Sequence, residues 1–191
     1  MTAHPVLIEI AEQFATEQLI IRSPLWGDGA MVNAAIIESI AELQPWMPWA
    51  QQIPTVEQSE ENVRLARIKF LERVDMRLHV FHKETGEFIG ASGLHRIDWM
   101  VKKFEIGYWI RTSQSGKGLM TEAVEGVMDF VIKQLAANRL EIRCDANNIR
   151  SMRIAERLGF RLEGILRNDT LDVAGNLRDT MVFAKIRGQE F

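Results

Sequence analysis

The chain has 191 residues, 47% of them hydrophobic, and a formal net charge of −3 at neutral pH. A chain of this length and apolar content can bury one substantial core, so we expect a single domain over residues 1–191. The slightly acidic balance gives no reason to expect nucleic-acid binding, which usually requires a basic face.

The N-terminal composition and the sparse cysteine and histidine content predict the compartment and the absence of a metal. The first twenty residues contain three glutamates and no lysine or arginine, so they do not resemble a signal peptide. No apolar run approaches the length of a membrane span, so we expect a soluble, cytoplasmic protein without membrane contact. A single cysteine excludes an internal disulfide, and the four histidines lack zinc-ligand spacing.

The first half of the chain predicts one short strand and two helices. A β-rich run covers residues 18–22, and an apolar pattern after a glycine turn predicts a helix that ends at Leu43. Thr55 opens a second predicted helix with a capping box. Trp46 and Trp49 lie between the helices, where they either wall an acceptor site or pack the second helix onto the sheet.

The second half predicts a sheet that is antiparallel at first and then contains one parallel crossover. Two β-like runs form a hairpin around residues 83–86, and a third run covers 104–110. A strongly apolar helix over 119–136 leads to a short strand over 140–144, which implies parallel pairing and a right-handed connection. A helix over 148–158 and two final β-runs, near residues 165–173 and 178–186, complete an α+β fold.

The most informative segment is the turn Ser113-Gln114-Ser115-Gly116-Lys117-Gly118, between the third β-run and the apolar helix. Glycine lets the backbone approach a ligand closely, and a helix start offers unpaired N–H groups to an anion. The segment lacks the glycine spacing of a Walker loop or a dinucleotide fingerprint. From these residues alone it is either a plain loop or a short diphosphate cradle in which Lys117 meets a phosphate.

A second segment gives the glycine turn a more specific interpretation. In it, Asn148-x-x-Ser151 opens a helix that ends in Leu158-Gly159-Phe160. The two segments together resemble the GNAT acyltransferase superfamily. The strand Phe104-Glu105-Ile106-Gly107-Tyr108-Trp109-Ile110 and the later Leu162-Glu163-Gly164 are similar to those of its RimJ/RimL branch, which acetylates protein N-termini. The resemblance covers nearly the whole chain. It implies a mixed, mostly antiparallel sheet with one splayed parallel strand pair and flanking helices.

The resemblance implies acetyl-CoA as cosubstrate, with its pyrophosphate held by the amides of the glycine turn. Arg111 and Lys117 are the nearest sources of extra charge, and Asn148 is expected to bond the pantetheine arm unless it only caps its helix. Ser113 departs from the Gln or Arg that usually begins the family turn. The expected cofactor-binding residues are Ile110, Arg111, Gln114, Ser115, Gly116, Lys117, Gly118, Leu119, Met120 and Asn148.

The resemblance also implies the group that protonates the departing thiolate. Many family members place a tyrosine seven residues after the helix asparagine, where this chain has Ala155. The single tyrosine, Tyr108, lies in a strand, so Ser151 is the expected acid. The alternative for Ser151 is a cap at the helix start, a common use of serine.

The sequence offers two candidate bases for the amine and one candidate nucleophile. Glu105, expected to face the thioester, and Asp169, near the expected acceptor channel, are the candidate bases. The alternative for Glu105 is a solvated surface carboxylate, and solvent itself is the alternative base. Cys144 ends an apolar strand without a histidine close in sequence, so we expect a buried apolar role rather than an acyl-enzyme.

The expected function is direct acetyl transfer from acetyl-CoA to a primary amine, above all a protein α-amino group such as that of a ribosomal protein. An α-amino group has a pKa of roughly 8, so a fair fraction is already neutral near pH 7. The alternatives are acetylation of a small amine or polyamine and a non-catalytic acyl-CoA-binding module. The resemblance further implies a homodimer.

Overall fold

The computed structural model describes residues 4–191, which form a mixed sheet with α-helices packed on it. The strands are β1 (Gln13–Ala15), β2 (Leu19–Arg22), β3 (Met76–His82), β4 (Phe88–Asp98), β5 (Lys103–Ile110), β6 (Arg139–Asp145), β7 (Arg161–Leu171) and β8 (Leu177–Ile186). The α-helices are α1 (Gly29–Leu43), α2 (Val56–Glu72), α3 (Leu119–Gln134) and α4 (Ile149–Arg157).

The strand order across the sheet is β1-β2-β3-β4-β5-β6-β8-β7. Within residues 4–191, β5 and β6 are the one parallel pair, and the other neighbouring strands are antiparallel. The predicted α+β fold with a mostly antiparallel sheet and one parallel crossover is therefore confirmed. No helix in the described chain is both long and apolar enough to cross a bilayer.

The predicted elements differ from the observed ones mainly at the edges of the sheet. The edge strand β1 was not predicted, because its three residues carry no period and form a strand only by pairing with β2. At the opposite edge β7 starts at Arg161, not near residue 165, because Arg161 already pairs with Ala184 of β8. Both differences arise from pairing between strands, which a local pattern does not contain.

Local signals fix the ends of α2. The Thr55 hydroxyl accepts the Gln58 amide at 3.2 Å, and the Gln58 side chain accepts the Thr55 amide at 2.8 Å, so the predicted capping box is present. Arg73 ends the helix in the left-handed region with φ 65°. Val63, Ala66 and Phe70 form its buried side.

Side chains along β5 alternate between two apolar clusters. Phe104, Ile106 and Tyr108 belong to the larger core around α3, whereas Trp109 packs with the cluster formed by α1, α2 and the Phe81–Phe88 pair. Because neighbouring residues in a strand point to opposite faces, the two helical layers cover opposite faces of β5. A ligand between β5 and its neighbour would thus have one helical layer on each side.

The parallel pair β5–β6 separates after a short contact. Pairing covers three positions, from Lys103 opposite Arg139 to Glu105 opposite Glu141. β5 then continues to Ile110 and β6 to Asp145 without pairing to each other in the described structure. The predicted splay is present, and it leaves main-chain N–H and C=O groups on the two facing edges available to a ligand.

A buried ionic network joins the start of α1 to β2 and β3. The Asp28 carboxylate accepts two N–H bonds from Arg22 at 2.7 and 2.8 Å, the Leu25 amide at 2.9 Å and Nδ1 of His79 at 2.8 Å. Burial alone would raise the pKa of Asp28, but the bonds from His79 and Arg22 outweigh it and lower that pKa. Burial also lowers the pKa of His79, so its ring favours the neutral form.

Candidate active site

A cavity of about 1120 Å³ opens where β5 and β6 separate. One end is formed by the glycine turn and α4, the centre by β5 and β6, and the other end by β3, β4 and the α1–α2 connection. Its volume exceeds the roughly 300–1,000 Å³ typical of small-molecule sites. The cavity therefore has room for an extended ligand and for part of a second molecule.

The glycine turn forms one end of this cavity. Gly116 and Gly118 adopt φ of 78° and 83°, and both line the cavity. Amides 116–121 donate to no acceptor among residues 4–191, since the first turn of α3 has no preceding helical carbonyls. These amides and the positive end of α3 favour an anion, so the turn has the free donors that a diphosphate cradle requires, and its binding role stays a prediction.

Arg111 and Glu38 hold in place the segment that joins β5 to the glycine turn. Glu38 on α1 accepts Nε of Arg111 at 2.5 Å and the amide of Ser113 at 2.8 Å, and Glu87 takes a second Arg111 nitrogen at 3.2 Å. The Arg111 charge is thus paired on both sides, and Arg111 is not among the cavity-lining residues. That Arg111 adds positive charge for the pyrophosphate stays a prediction. In the structure it holds the segment between β5 and the glycine turn.

Three further residues of the expected cofactor set, Gln114, Lys117 and Leu119, do not line the cavity. Gln114 donates to Glu87 at 2.8 Å and accepts Nζ of Lys117 at 2.8 Å, while Leu119 is buried in the core. In contrast, the residues of that set that line the cavity are Ile110, Ser115, Gly116, Gly118, Met120 and Asn148. Gln114 and Leu119 can still contribute backbone groups, and a phosphate contact for Lys117 stays a prediction.

At the middle of the cavity, two hydroxyl groups from distant segments meet. The Tyr108 hydroxyl lies 2.9 Å from Oγ of Ser151 and 3.1 Å from the Ser151 carbonyl. Burial raises the pKa of Tyr108 above its ordinary value, so the phenol stays protonated at neutral pH. When the Tyr108 hydroxyl donates its hydrogen to Oγ of Ser151, the hydroxyl hydrogen of Ser151 is available to another acceptor. This pairing was missed from the sequence, where Tyr108 was set aside as a strand residue.

The start of α4 separates the capping roles of Asn148 and Ser151. Asn148 is the N-cap, and its side-chain oxygen accepts the Ser151 amide at 3.1 Å. The alternative of Ser151 as the helix cap is therefore wrong, and its hydroxyl is engaged with Tyr108 instead. The Asn148 cap is present, while its NH₂ group has no partner in the part of the chain that the structure describes. Both residues line the cavity.

Cys144 lies beside the same hydroxyl pair but is a poor nucleophile. Burial raises the pKa of Cys144 to about 11, with Asp145 adding to the rise and a hydrogen bond from Ser151 opposing it. The thiol is therefore protonated at neutral pH, and the thiolate is the reactive form. This arrangement favours direct transfer over an acyl-enzyme.

The two candidate carboxylate bases are not brought to the cavity wall. Glu105 accepts a guanidinium N–H of Arg96 at 3.0 Å, and Asp169 accepts one of Arg143 at 3.2 Å. Asp169 lines a separate surface depression with residues 165–168. Neither carboxylate lines the cavity, so their roles as bases stay predictions without support from their positions.

Tryptophans form part of the opposite end of the cavity. Trp46 and Trp49 both line it, and the ring centroid of Trp49 lies 5.9 Å from that of Trp109 in an edge-on arrangement. Trp49 is 50% exposed, which favours a wall residue over packing of α2 onto the sheet. Trp109 links this wall to the apolar cluster beneath it.

Sequence reasoning also missed the polar residues of β3 and β4 at this end. Arg77 and His79 on β3 and Ser92 and His95 on β4 all line the cavity. The available signal was the alternation in β3, where Met76, Leu78 and Val80 are buried while Arg77 and His79 face the other side. No group of three metal-ligating side chains is found within residues 4–191.

Comparison with known protein sequences gives one family and several relatives. Residues 18–161 match the family model described as an acetyltransferase (GNAT) domain. An uncharacterized N-acetyltransferase, p20 of Bacillus licheniformis, is 32% identical over 132 residues, covering 69% of this chain and 74% of that protein. The ribosomal-protein-serine acetyltransferase of Escherichia coli strain K12 is 28% identical over 159 residues, covering 79% of this chain and 85% of that protein.

Solved structures give the same fold. RimL, a ribosomal L7/L12 alpha-N-protein acetyltransferase in complex with coenzyme A, superimposes with a TM-score of 0.85 at 22% identity, over 92% of this chain and 98% of that one. The microcin C7 self-immunity acetyltransferase MccE, in complex with acetyl-CoA and AMP, gives 0.84 at 22% identity, over 90% and 93% of the chains. At these identities the likeness concerns the fold.

Proposed function

Because the chain belongs to the acetyltransferase (GNAT) domain family, we propose that it transfers the acetyl group of acetyl-CoA directly to a protein α-amino group. The observation that carries the proposal is the continuity of one cavity from the amide cradle, through the splayed strands, to the Tyr108–Ser151 hydroxyl pair. The single-domain organisation, the cytoplasmic location and the homodimer inferred from the sequence stay predictions.

The residues present fit acetyl-CoA. Amides 116–121 would hold the pyrophosphate, and the unpaired edges of β5 and β6 would hold the pantetheine arm, as a peptide adds to a sheet edge. When bound, acetyl-CoA supplies a thioester and a leaving thiol. Arg150, Arg153 and Arg157 on α4 line the cavity beside the cradle and supply positive charge there.

Two hydroxyl groups of the chain then supply the proton that the leaving sulfur takes up. Ser151 is the hydroxyl expected to protonate the leaving sulfur, and Tyr108 supports it through their 2.9 Å contact. Cys144 stays a protonated thiol and takes no part in a covalent intermediate. Trp46, Trp49 and the α1–α2 connection give the acceptor end an apolar border.

The charges at the acceptor end favour a peptide amine over a polyamine. Arg77 lines this part of the cavity, and its guanidinium bonds Asn62 and no carboxylate in the described chain. Arg143 and Arg178 also line the cavity, but each is paired with an aspartate. A polycation would be repelled by the Arg77 charge, whereas a peptide brings one amine and a backbone rich in acceptors. The ribosomal-protein acetyltransferase among the relatives supports the same substrate class.

We expect thiol release with a peptide that has a free α-amino group and none with the same peptide after α-acetylation, even when an internal lysine is present. Spermidine and free lysine complete the panel, read with a thiol reagent at saturating acetyl-CoA. Fastest release with spermidine would transfer the assignment to small-amine acetylation. Stabilisation by acetyl-CoA without release with any amine would leave only a binding module.

Gly118→Ala is expected to raise the Kd of acetyl-CoA about tenfold by isothermal titration. Gly118 lies at φ 83° directly before α3, and a side chain in the left-handed region costs about 1–2 kcal/mol, so the cradle amides are expected to move. The matched control is Gly175→Ala, at φ 85° in the β7–β8 turn away from the cavity. An equal loss of affinity in both variants would contradict a cradle role for Gly118.

A further inference from the structure

We propose that His95, held in position by Asp75, is the base that accepts the proton of the acceptor amine. This inference rests on the proposed function, because it assigns a role within amine acetylation. His95 lies on β4 and lines the acceptor end of the cavity. Its Nδ1 lies 2.6 Å from Oδ2 of Asp75, the residue before β3.

The Asp75 carboxylate fixes the tautomer of the imidazole. Burial alone would raise the pKa of Asp75, but the hydrogen bond from His95 outweighs it and lowers that pKa, so Asp75 is ionised at neutral pH. A carboxylate accepts a hydrogen from Nδ1, which leaves the lone pair on Nε2. No residue in the described part of the chain bonds Nε2, and the side chain is 33% exposed. Nε2 is therefore free to take a proton.

The ring lies against the strand that borders the splay. A methyl group placed on Gly107 would lie 2.7 Å from Cδ2 and 2.8 Å from Nε2 of His95. Gly107 precedes Tyr108, whose hydroxyl contacts Ser151 from the opposite face of β5. The proton acceptor and the proton donor therefore flank the splay from its two sides, so the amine enters from one side and the thiol leaves toward the other.

Other titratable groups at this end are less suitable. His79 also bonds an aspartate through Nδ1, but it is 1% exposed and packs against the Phe81 and Phe88 rings at 6.4 and 5.4 Å. It also lies on β3, two strands from β5, or about 10 Å at the usual strand spacing. Glu105 is opposite His95 on β5, but its carboxylate is held by Arg96.

Charged groups from each packed element set the environment of the His95–Asp75 pair. Arg77 from β3 and Lys69 from α2 act on Asp75 and favour its ionised form. Glu105 from β5 lies directly across from His95, with its charge balanced by Arg96. The surroundings thus contain both signs, and the carboxylate bonded to Nδ1 stabilises the imidazolium that forms.

The proposed step balances two protons. The amine nitrogen forms its bond to the acetyl carbon and gives one proton to Nε2 of His95. The carbon–sulfur bond breaks, and the sulfur takes one proton from Ser151. His95 then loses its proton to solvent, and Ser151 regains one through Tyr108 and solvent, so the net products are an acetylated amine and free CoA.

His95→Gln is expected to lower kcat/KM at pH 7 by roughly 10²–10³-fold while the thermal stabilisation by acetyl-CoA is unchanged. His4→Gln, an exposed histidine outside the cavity, is the matched control.

Two further measurements separate chemistry from structure. Imidazole added to His95→Ala should restore part of the lost rate, since it can occupy the vacated space and accept the proton. Nitrogen NMR of the free protein should show the Nδ1–H tautomer of His95, and Asp75→Asn should disturb that tautomer and lower kcat more than it raises KM. A mixed tautomer in the wild type would contradict the positioning role of Asp75.

The proposed function and the role of His95 fail separately. The wild-type rate with the α-amine peptide tests the function, and the ratio of variant to wild type tests His95. A wild type that acetylates the peptide while His95→Gln keeps its rate overturns the role of His95. A wild type that releases no thiol with any amine overturns both.

Discussion

Ser151→Ala is expected to lower kcat by roughly 10²–10³-fold while the Kd of acetyl-CoA changes by less than about threefold. The hydroxyl lies inside the cavity, is supported by Tyr108 at 2.9 Å, and is freed from capping by Asn148. Its removal takes away the proton for the leaving sulfur but none of the cradle amides. Steady-state kinetics with a peptide acceptor and titration of acetyl-CoA measure the two quantities.

Cys144→Ala is the matched control for this variant, because its thiol lines the same part of the cavity. We expect it to keep turnover within a few-fold of wild type. Complete loss of activity in a folded Cys144→Ala enzyme would instead indicate an acyl-enzyme. Tyr108→Phe should give a smaller loss than Ser151→Ala, and the reverse order would make Tyr108 the direct proton donor.

Asp28→Ala is expected to lower the free energy of unfolding by about 3–5 kcal/mol, a large part of the total for a domain of this size. The carboxylate bonds Arg22 twice and also satisfies His79 and the Leu25 amide, and Asp28 is 7% exposed. Without it, the partly buried guanidinium of Arg22 keeps only the Ser23 carbonyl, and the buried imidazole N–H of His79 loses its acceptor. Urea denaturation at pH 7 measures the difference.

The control for this variant is Glu125→Ala, which removes an exposed carboxylate on α3 and should change stability by less than about 0.5 kcal/mol. An Asp28→Ala protein as stable as the control would show that the network contributes nothing.

The same network predicts how stability depends on pH. Burial lowers the pKa of His79, so the unfolded chain binds a proton below about pH 6.5 while the folded ring stays neutral. Stability should therefore fall as the pH drops through that range. The pKa of Asp28 is also lowered on folding, so the difference between wild type and Asp28→Ala should be constant above about pH 5 and shrink below about pH 4.

The sequence alone was sufficient for the family and for the order of most elements. The glycine turn, Asn148-x-x-Ser151 and the Gly159-Phe160 helix end together indicated the GNAT family, which the family match confirms. The capping box at Thr55 and the apolar stripe of α3 are short-range features, and both helices are observed. Such features are encoded locally, because helix caps and period depend on residues three or four positions apart.

The tertiary structure decided which side chains meet. Tyr108 contacts Ser151 across 43 positions, and Arg111 is held by Glu38 across 73. Pairing with Arg96 keeps Glu105 from the cavity, whereas the register of β4 on β5 places His95 beside Gly107 at the splay. A shift of one residue in that register would send each of these side chains to the opposite face. Register follows from strand pairing over the whole sheet, so the sequence by itself determined the family, the fold class and the place of the glycine turn, and only the folded sheet determined which side chains line the cavity.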